Sequence, residues 1–327
     1  MAGPDGGAVP AGLRGAVLTD VGAATPERPG AVRIWIAAAR PKTLAAAAAP
    51  VLIGAGLAAF RDTFRALPAA MALVGALLIQ VATNLANDYY DFVRGADTEE
   101  RIGPLRVTQA GLLAPAAVRR GLVVVMAAAV AVGGYLVWVG GWPILLIGVL
   151  SLVCAVAYTG GPFPLGYHGL GDLFVFVFFG LVAVGGTYWV QARTLAPDAL
   201  LAGAGVGAIS TAILVVNNLR DRATDARAGK RTLAVRLGAR ATALEYTLLL
   251  AFAVLVPVAG ILLYAWPTPA GAAGFGLALL CVPPLHAVWR HQDPRELLPA
   301  LGETARGVAF YGAALAAALA WGLPPLP

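Results

Sequence analysis

The chain has 327 residues, of which 59% are hydrophobic and 12% charged, with a net charge of +6. Soluble domains average about 45–50% apolar and about 25% charged residues, so this composition leaves too little polar surface to cover a body in water. It excludes a soluble enzyme, a disordered chain and a nucleic-acid-binding domain, and it leaves an integral membrane protein.

Residues 1–32 are rich in Gly, Ala and Pro. They lack the basic start, compact apolar stretch and cleavage site of a signal peptide. A flexible tail is expected there, ahead of one membrane domain over residues 33–327. Apolar runs then recur near 43–60, 68–90, 120–139, 142–159, 171–191, 199–219, 241–264, 268–289 and 307–324. Most approach the roughly 20 residues that cross hydrocarbon. The pattern predicts an all-α, polytopic bundle of about nine transmembrane helices, the first kinked at Pro50.

Lys and Arg set the orientation. With the N-terminus in the cytoplasm, 20 of the 23 basic residues fall on the cytoplasmic side, and only Arg61, Arg65 and Arg193 fall outside. The asymmetry also explains the positive charge without any nucleic acid. Cys154 and Cys281 stand in apolar runs without metal-ligand spacing and read as small core residues.

The acids carry the chemistry. Asn84, Asn87, Asp88 and Asp91 lie at the cytoplasmic end of the second run; Asn217, Asp221 and Asp225 lie at that of the sixth. Asn84, Asp88 and Asp91 are spaced i, i+4, i+7, and Asn217, Asp221 and Asp225 are spaced i, i+4, i+8, so each set is expected on one helix face. Carboxylates this close repel one another, and partial burial raises the penalty. Oxygen ligands without His or Cys favour a hard cation, Mg²⁺ or Ca²⁺. Bases stand close by: Arg94, Arg101 and Arg106 follow the first motif, and Lys230 and Arg231 the second. Acids for a metal and bases for the remaining charge suit a diphosphate. At the mouth of an apolar bundle, that diphosphate would head a long hydrocarbon chain, as in a polyprenyl diphosphate.

The chain resembles the intramembrane aromatic prenyltransferase superfamily at Asn87-Asp88-Tyr89-Tyr90-Asp91 and at Asp221-Arg222-Ala223-Thr224-Asp225, which match its N-D-x-x-D and D-x-x-x-D motifs. Within it, the chain is similar to the branch that prenylates 1,4-dihydroxy-2-naphthoate in menaquinone synthesis. Four stretches carry that likeness: Arg40-Pro41-Lys42-Thr43; Asn84 through Tyr89 leading into Arg101-Ile102-Gly103-Pro104-Leu105-Arg106; Tyr158 through Pro162 leading into Leu165 through Asp172; and Asn217 through Asp221 running on to Gly229 through Gly238. A basic pair after the Tyr that ends the fourth helix, typical of the hydroxybenzoate branch, is missing after Tyr158. That departure argues against hydroxybenzoate as the acceptor.

The resemblance implies a set of roles. Asp88, Asp91, Asp221 and Asp225, supported by Asn84, Asn87 and Asn217, would hold two Mg²⁺ ions on the diphosphate. Lys230 and Arg231, with Arg101 or Arg106, would steady the departing diphosphate. Lys42 would help to bind the acceptor carboxylate at the entrance of the first helix. Transfer of the prenyl group to the naphthoate would release CO₂ and give demethylmenaquinol, at the cytoplasmic face of the cell membrane. Tyr158 reads as a pocket wall or as part of an interfacial aromatic belt. Asp172 reads as a helix cap or a site contact, and His168 as a loop surface residue. Asp97 reads as a further metal or lid residue, Glu245 as interfacial, and the run Phe174–Phe179 as packing or lipid contact, with a prenyl-channel wall as the alternative. Two rival functions are a cation-coupled transporter and a prenyltransferase for another aromatic acceptor.

Overall fold

The computed structural model describes residues 29–95, 102–103 and 106–322. The expectations placed on the tail before residue 29, on Asp97 and on Arg101 lie outside the described residues. Eleven helical segments follow one another: α1 (Ala31–Ala39), α2 (Pro41–Phe60), α3 (Ala66–Val93), α4 (Pro115–Gly140), α5 (Trp142–Ala157), α6 (Gly171–Ala192), α7 (Pro197–Arg220), α8 (Arg222–Arg227), α9 (Leu233–Tyr264), α10 (Thr268–Arg290) and α11 (Leu297–Trp321). Among the described residues there is no strand.

Each of the nine apolar runs is helical over most of its expected length. Seven of these helices are long and apolar enough to cross a membrane. α5 is shorter, at 16 residues, and α11 carries Glu303 and Arg306. The chain is a multi-pass membrane protein. The short helix α1 was not anticipated. It buries Ile34 and Ala38, exposes Val32 and Ile36, and sets Trp35 against Gly121 of α4.

Pro41, Pro115 and Pro197 open α2, α4 and α7 at the first helical position, where the missing N–H has no intrahelical partner to lose. α7 is the most enclosed span. Around it, α2, α6, α9, α10 and α11 share one buried core that includes Ile53, Ile209, Leu250, Leu277 and Leu315. A second core joins α1, α3 and α4 through Ile34, Leu85 and Val118. Small residues let the backbones meet, as expected where lipid supplies no hydrophobic drive between helices. A Cβ on Gly56 of α2 would lie 2.6 Å from the Ala316 carbonyl of α11, and one on Gly207 of α7 would lie 2.7 Å from the Phe176 carbonyl of α6.

Two departures from regular helix bear on the site. α6 contains a π-helical stretch, Val177–Val182, a device that shifts side chains around the axis. α9 is interrupted at Gly238 (φ 82°, ψ 171°), a conformation that glycine adopts without strain. The interruption separates the short stretch Leu233–Leu237 from the long helix that follows it.

Candidate active site

α3 and α7 end at the same face of the bundle, and the first motif rides on one unbroken helix. Asp91 is its hub. Buried at 2% exposure, it accepts hydrogen bonds from Arg106 Nη2 at 2.7 Å and from the Tyr167 hydroxyl at 3.0 Å. Lys230 Nζ lies 3.6 Å from its Oδ1. Asp88, at 1% exposure, accepts the backbone N–H groups of Val107 and Thr108 at 3.0 and 3.1 Å. That pair of bonds anchors the loop that delivers Arg106 to Asp91.

Asn84 is committed to structure. Its Nδ2 donates to the Ala39 carbonyl and to Thr43 Oγ1, both at 2.9 Å, and its Oδ1 accepts from Gln80. It thereby fastens the α1–α2 junction to α3. Asn87 accepts from the Thr159 hydroxyl at 3.0 Å.

The second motif does not form the single stripe that its spacing predicted. The helix ends at Arg220 because Asp221 (φ −89°, ψ 3°) leaves the helical region, and Asp225 sits on the separate helix α8. The break is held by Asp225 N–H and the Thr224 hydroxyl, both donating to the Asp221 carbonyl at 2.8 Å. Arg220, 2% exposed, forks onto Asp221 through Nε and Nη2 at 2.7 and 2.5 Å. The same Nη2 also reaches Asn217 Oδ1 at 2.8 Å. Asp225 is half-buried and stands 3.8 Å from Lys230 Nζ. Burial pushes its carboxyl up to about 6; Lys230 and Arg220 oppose that rise, while Asp221 and Asp91 add to it.

Lys230 therefore joins the two motifs. Its ammonium bridges Asp91 and Asp225 and lies 4.7 Å over the Tyr167 ring centroid, with the Arg94 guanidinium 5.4 Å from the same centroid. Arg94 also donates to the Thr159 and Gly161 carbonyls, which ties α3 to the loop after α5. Tyr167 comes from the turn Leu165–His168, and its carbonyl accepts the Arg231 backbone N–H at 2.8 Å. The side chains of Arg231 and Lys42 are exposed. Lys42 stands next to Thr43, which binds Asn84. His168 stacks on Phe163 at 3.7 Å between ring centroids.

Sequence reasoning missed Tyr167 and Arg220 as site residues. Both stand inside stretches that carried the family likeness, so the signal was the motif context. Tyr167→Phe keeps the ring under Lys230 and removes the donor to Asp91. A hydrogen bond to a charged group contributes about 1.5–3 kcal/mol, so turnover should fall about 10- to 100-fold. Steady-state kinetics checks this.

Next to the acids opens a cavity of about 560 Å³. Gln80, Asn84, Asn87 and Tyr158 line its polar end; its walls are apolar faces of α2 to α6. Phe174, Val175, Phe178 and Phe179 are among the residues that line this cavity.

Among the described residues, no three carboxylate, histidine or cysteine side chains converge to cage a metal. The donors fit a different mode. Mg²⁺ is commonly held by one or two carboxylates together with substrate phosphates and water, and Asp91 and Asp225 face one shared cation position from two helices.

The UbiA prenyltransferase family matches residues 47–302. The chain is 39% identical to the 1,4-dihydroxy-2-naphthoate octaprenyltransferase of Escherichia coli, over 84% of this chain and 90% of that one. It is also 39% identical to the protein of the same description in Mycobacterium tuberculosis, over 88% and 97%. A solved structure of a UbiA homolog from Archaeoglobus fulgidus, bound to DMAPP and Mg²⁺, aligns with a TM-score of 0.58 over 86% of this chain and 98% of that one, at 13% identity. The chain belongs to the UbiA prenyltransferase family.

Proposed function

We propose that the protein transfers a polyprenyl group from its diphosphate to 1,4-dihydroxy-2-naphthoate, releasing diphosphate and CO₂ and giving demethylmenaquinol. One observation carries the reading: two acid-bearing helix ends meet around Lys230, and Asn84 and Asn87, on the helix that bears Asp88 and Asp91, line an apolar cavity. The acids and bases suit a diphosphate, and the cavity suits its hydrocarbon chain. The naphthoate acceptor rests on the relatives in E. coli and M. tuberculosis.

In this scheme Asp88, Asp91, Asp221 and Asp225 hold two Mg²⁺ ions, which supply positive charge to the diphosphate oxygens. The A. fulgidus homolog with DMAPP and Mg²⁺ supports that choice of metal. Asn217 steadies the Arg220 that clamps Asp221, Asn87 is held by Thr159, and Asp88 also holds the loop of Arg106. Lys230, Arg106 and the exposed Arg231, with Arg101 five residues before Arg106 in the sequence, stabilise negative charge as the C1–O bond breaks. The apolar walls exclude water, which would otherwise quench the allylic cation. The electron-rich ring attacks C1 at the carbon bearing the carboxylate, and CO₂ departs as the ring regains aromaticity. Lys42 meets the acceptor carboxylate. The Lys and Arg asymmetry supports the reading that this face lies in the cytoplasm, with the protein in the cell membrane.

The test uses purified protein in detergent with 1,4-dihydroxy-2-naphthoate labelled at the carboxylate, a polyprenyl diphosphate and Mg²⁺. Labelled CO₂ and prenylated product should appear together, and EDTA should stop both. Prenylation of a different acceptor, with none of the naphthoate, would overturn the acceptor assignment.

A further inference from the structure

Asp172 is the least explained charged group in the structure. It is the second residue of α6, within a span that is apolar enough to cross the membrane. It is 6% exposed. It makes no capping hydrogen bond, and no other described residue hydrogen-bonds either carboxylate oxygen. A buried polar group normally has a partner, and an ionisable side chain inside a membrane span is a functional candidate by default.

Its surroundings point to a ligand at the polar end of the cavity. The Tyr158 hydroxyl packs against Gly171, where a Cβ would lie 2.8 Å from it. Tyr158 lines the cavity and lies within electrostatic reach of Asp172, Asp91 and Asp225. Val175, three residues after Asp172 on the same helix, lines the cavity as well, and residues spaced i, i+3 share a face. From α9, Glu245 also lies within electrostatic reach of Asp172, and its Oε2 is buried without a hydrogen-bond partner among the described residues. Among the described residues no ion pair brings a cation to either acid, so this corner lacks the charge that would recruit a second phosphate. What two unpartnered acids can do is accept a proton from a hydroxyl.

We propose that Asp172 is a catalytic residue that binds the hydroxyl of the aromatic acceptor next to the attacked carbon and takes its proton during prenyl transfer. The inference rests on the naphthoate reading above. As the ring carbon bonds to C1 of the prenyl group and the C1–O bond to diphosphate breaks, the O–H electrons close a ketone and the proton passes to Asp172. When CO₂ leaves, the electrons of the broken C–C bond restore the aromatic ring and the oxygen recovers the proton from Asp172. Protons balance over the cycle, and no other reagent is consumed.

The experiment compares wild type and Asp172→Asn with two acceptors, 1,4-dihydroxy-2-naphthoate and its analogue methylated on that hydroxyl. General-base assistance contributes about 10²- to 10⁴-fold. Asp172→Asn should lower kcat on the dihydroxy acceptor at least 100-fold, leave the KM for prenyl diphosphate within twofold, and erase the wild-type preference for the free hydroxyl. Asp172→Glu should recover part of the rate. A variant that retains a third or more of wild-type kcat, or that keeps the preference, would overturn the assignment. So would a loss of rate with an equal loss of donor affinity and of thermal midpoint, which marks a structural role. If wild type prenylates neither acceptor, the naphthoate reading itself fails, and that is visible without any variant.

Discussion

Asp225→Asn is expected to lower kcat/KM for prenyl transfer by about 10²- to 10³-fold, the range for removing one group that stabilises transition-state charge, while the thermal unfolding midpoint stays unchanged. The choice of Asp225 follows from how the four acids are employed. Asp88 holds the Val107–Thr108 backbone, Asp91 is paired with Arg106, and Asp221 is clamped by Arg220. Removing the charge at any of these strands a buried partner, and breaking a buried pair costs about 3–5 kcal/mol. Rate and fold would then fall together. Asp225 is half-buried on the short helix α8, and its ion pair is to Lys230 at 3.8 Å. Asparagine keeps the shape there and removes the charge.

A raised Mg²⁺ requirement should accompany the loss, measured as the concentration giving half-maximal rate. Wild-type turnover by Asp225→Asn at saturating Mg²⁺ would remove this residue from the diphosphate site. The parallel variant Lys230→Met separates the two parts of the scheme. It removes the charge shared by both motifs without adding an acid, so the carboxylates should take up metal at least as well as before while the departing diphosphate loses its stabiliser.

The sequence made the helices legible because apolar runs near 20 residues have one solution in hydrocarbon, and it made the acids legible because four carboxylates at two helix ends need a common cation. What it left hidden depends on backbone geometry that no spacing encodes. The i, i+8 pattern of Asn217 and Asp225 read as one helix face. The chain instead breaks at Asp221, and the break turns Asp225 toward Lys230. Asn84 shares a stripe with Asp88 and Asp91, yet its amide is spent on Ala39 and Thr43, partners 45 and 41 residues away. The run Phe174–Phe179 has no clean helical period because a π-helical stretch changes the period within it. Four of its side-chain positions thereby reach the cavity. Tyr167 carries no spacing signal, and it matters because the tertiary fold lays its ring beneath two cations.

Gly148→Phe should leave prenyl transfer from a short prenyl diphosphate close to wild type and reduce transfer from a long one by at least tenfold. Gly148 lines the cavity on α5, and a Cβ there meets nothing within 4 Å. A large side chain can therefore enter the open space without displacing a neighbour, in contrast to Gly140 of α4, where a Cβ would lie 2.2 Å from Ile144. Tyr158 marks the polar end ten residues further along, about 15 Å at 1.5 Å per helical residue. A chain that stops short of that depth has no contact with the new ring. A longer one must bend or leave carbon atoms in a less favourable place, and each methylene that fails to be buried forfeits about 0.8 kcal/mol. Two such groups already exceed the 1.4 kcal/mol that corresponds to a factor of ten. Competition between a short and a long donor in one reaction reads the effect directly as a product ratio. Because the polar end is untouched, both donors should keep the same Mg²⁺ dependence. If both rates fell in parallel, the substitution would have disturbed the acids, and the hydrocarbon chain would have to run elsewhere than past α5.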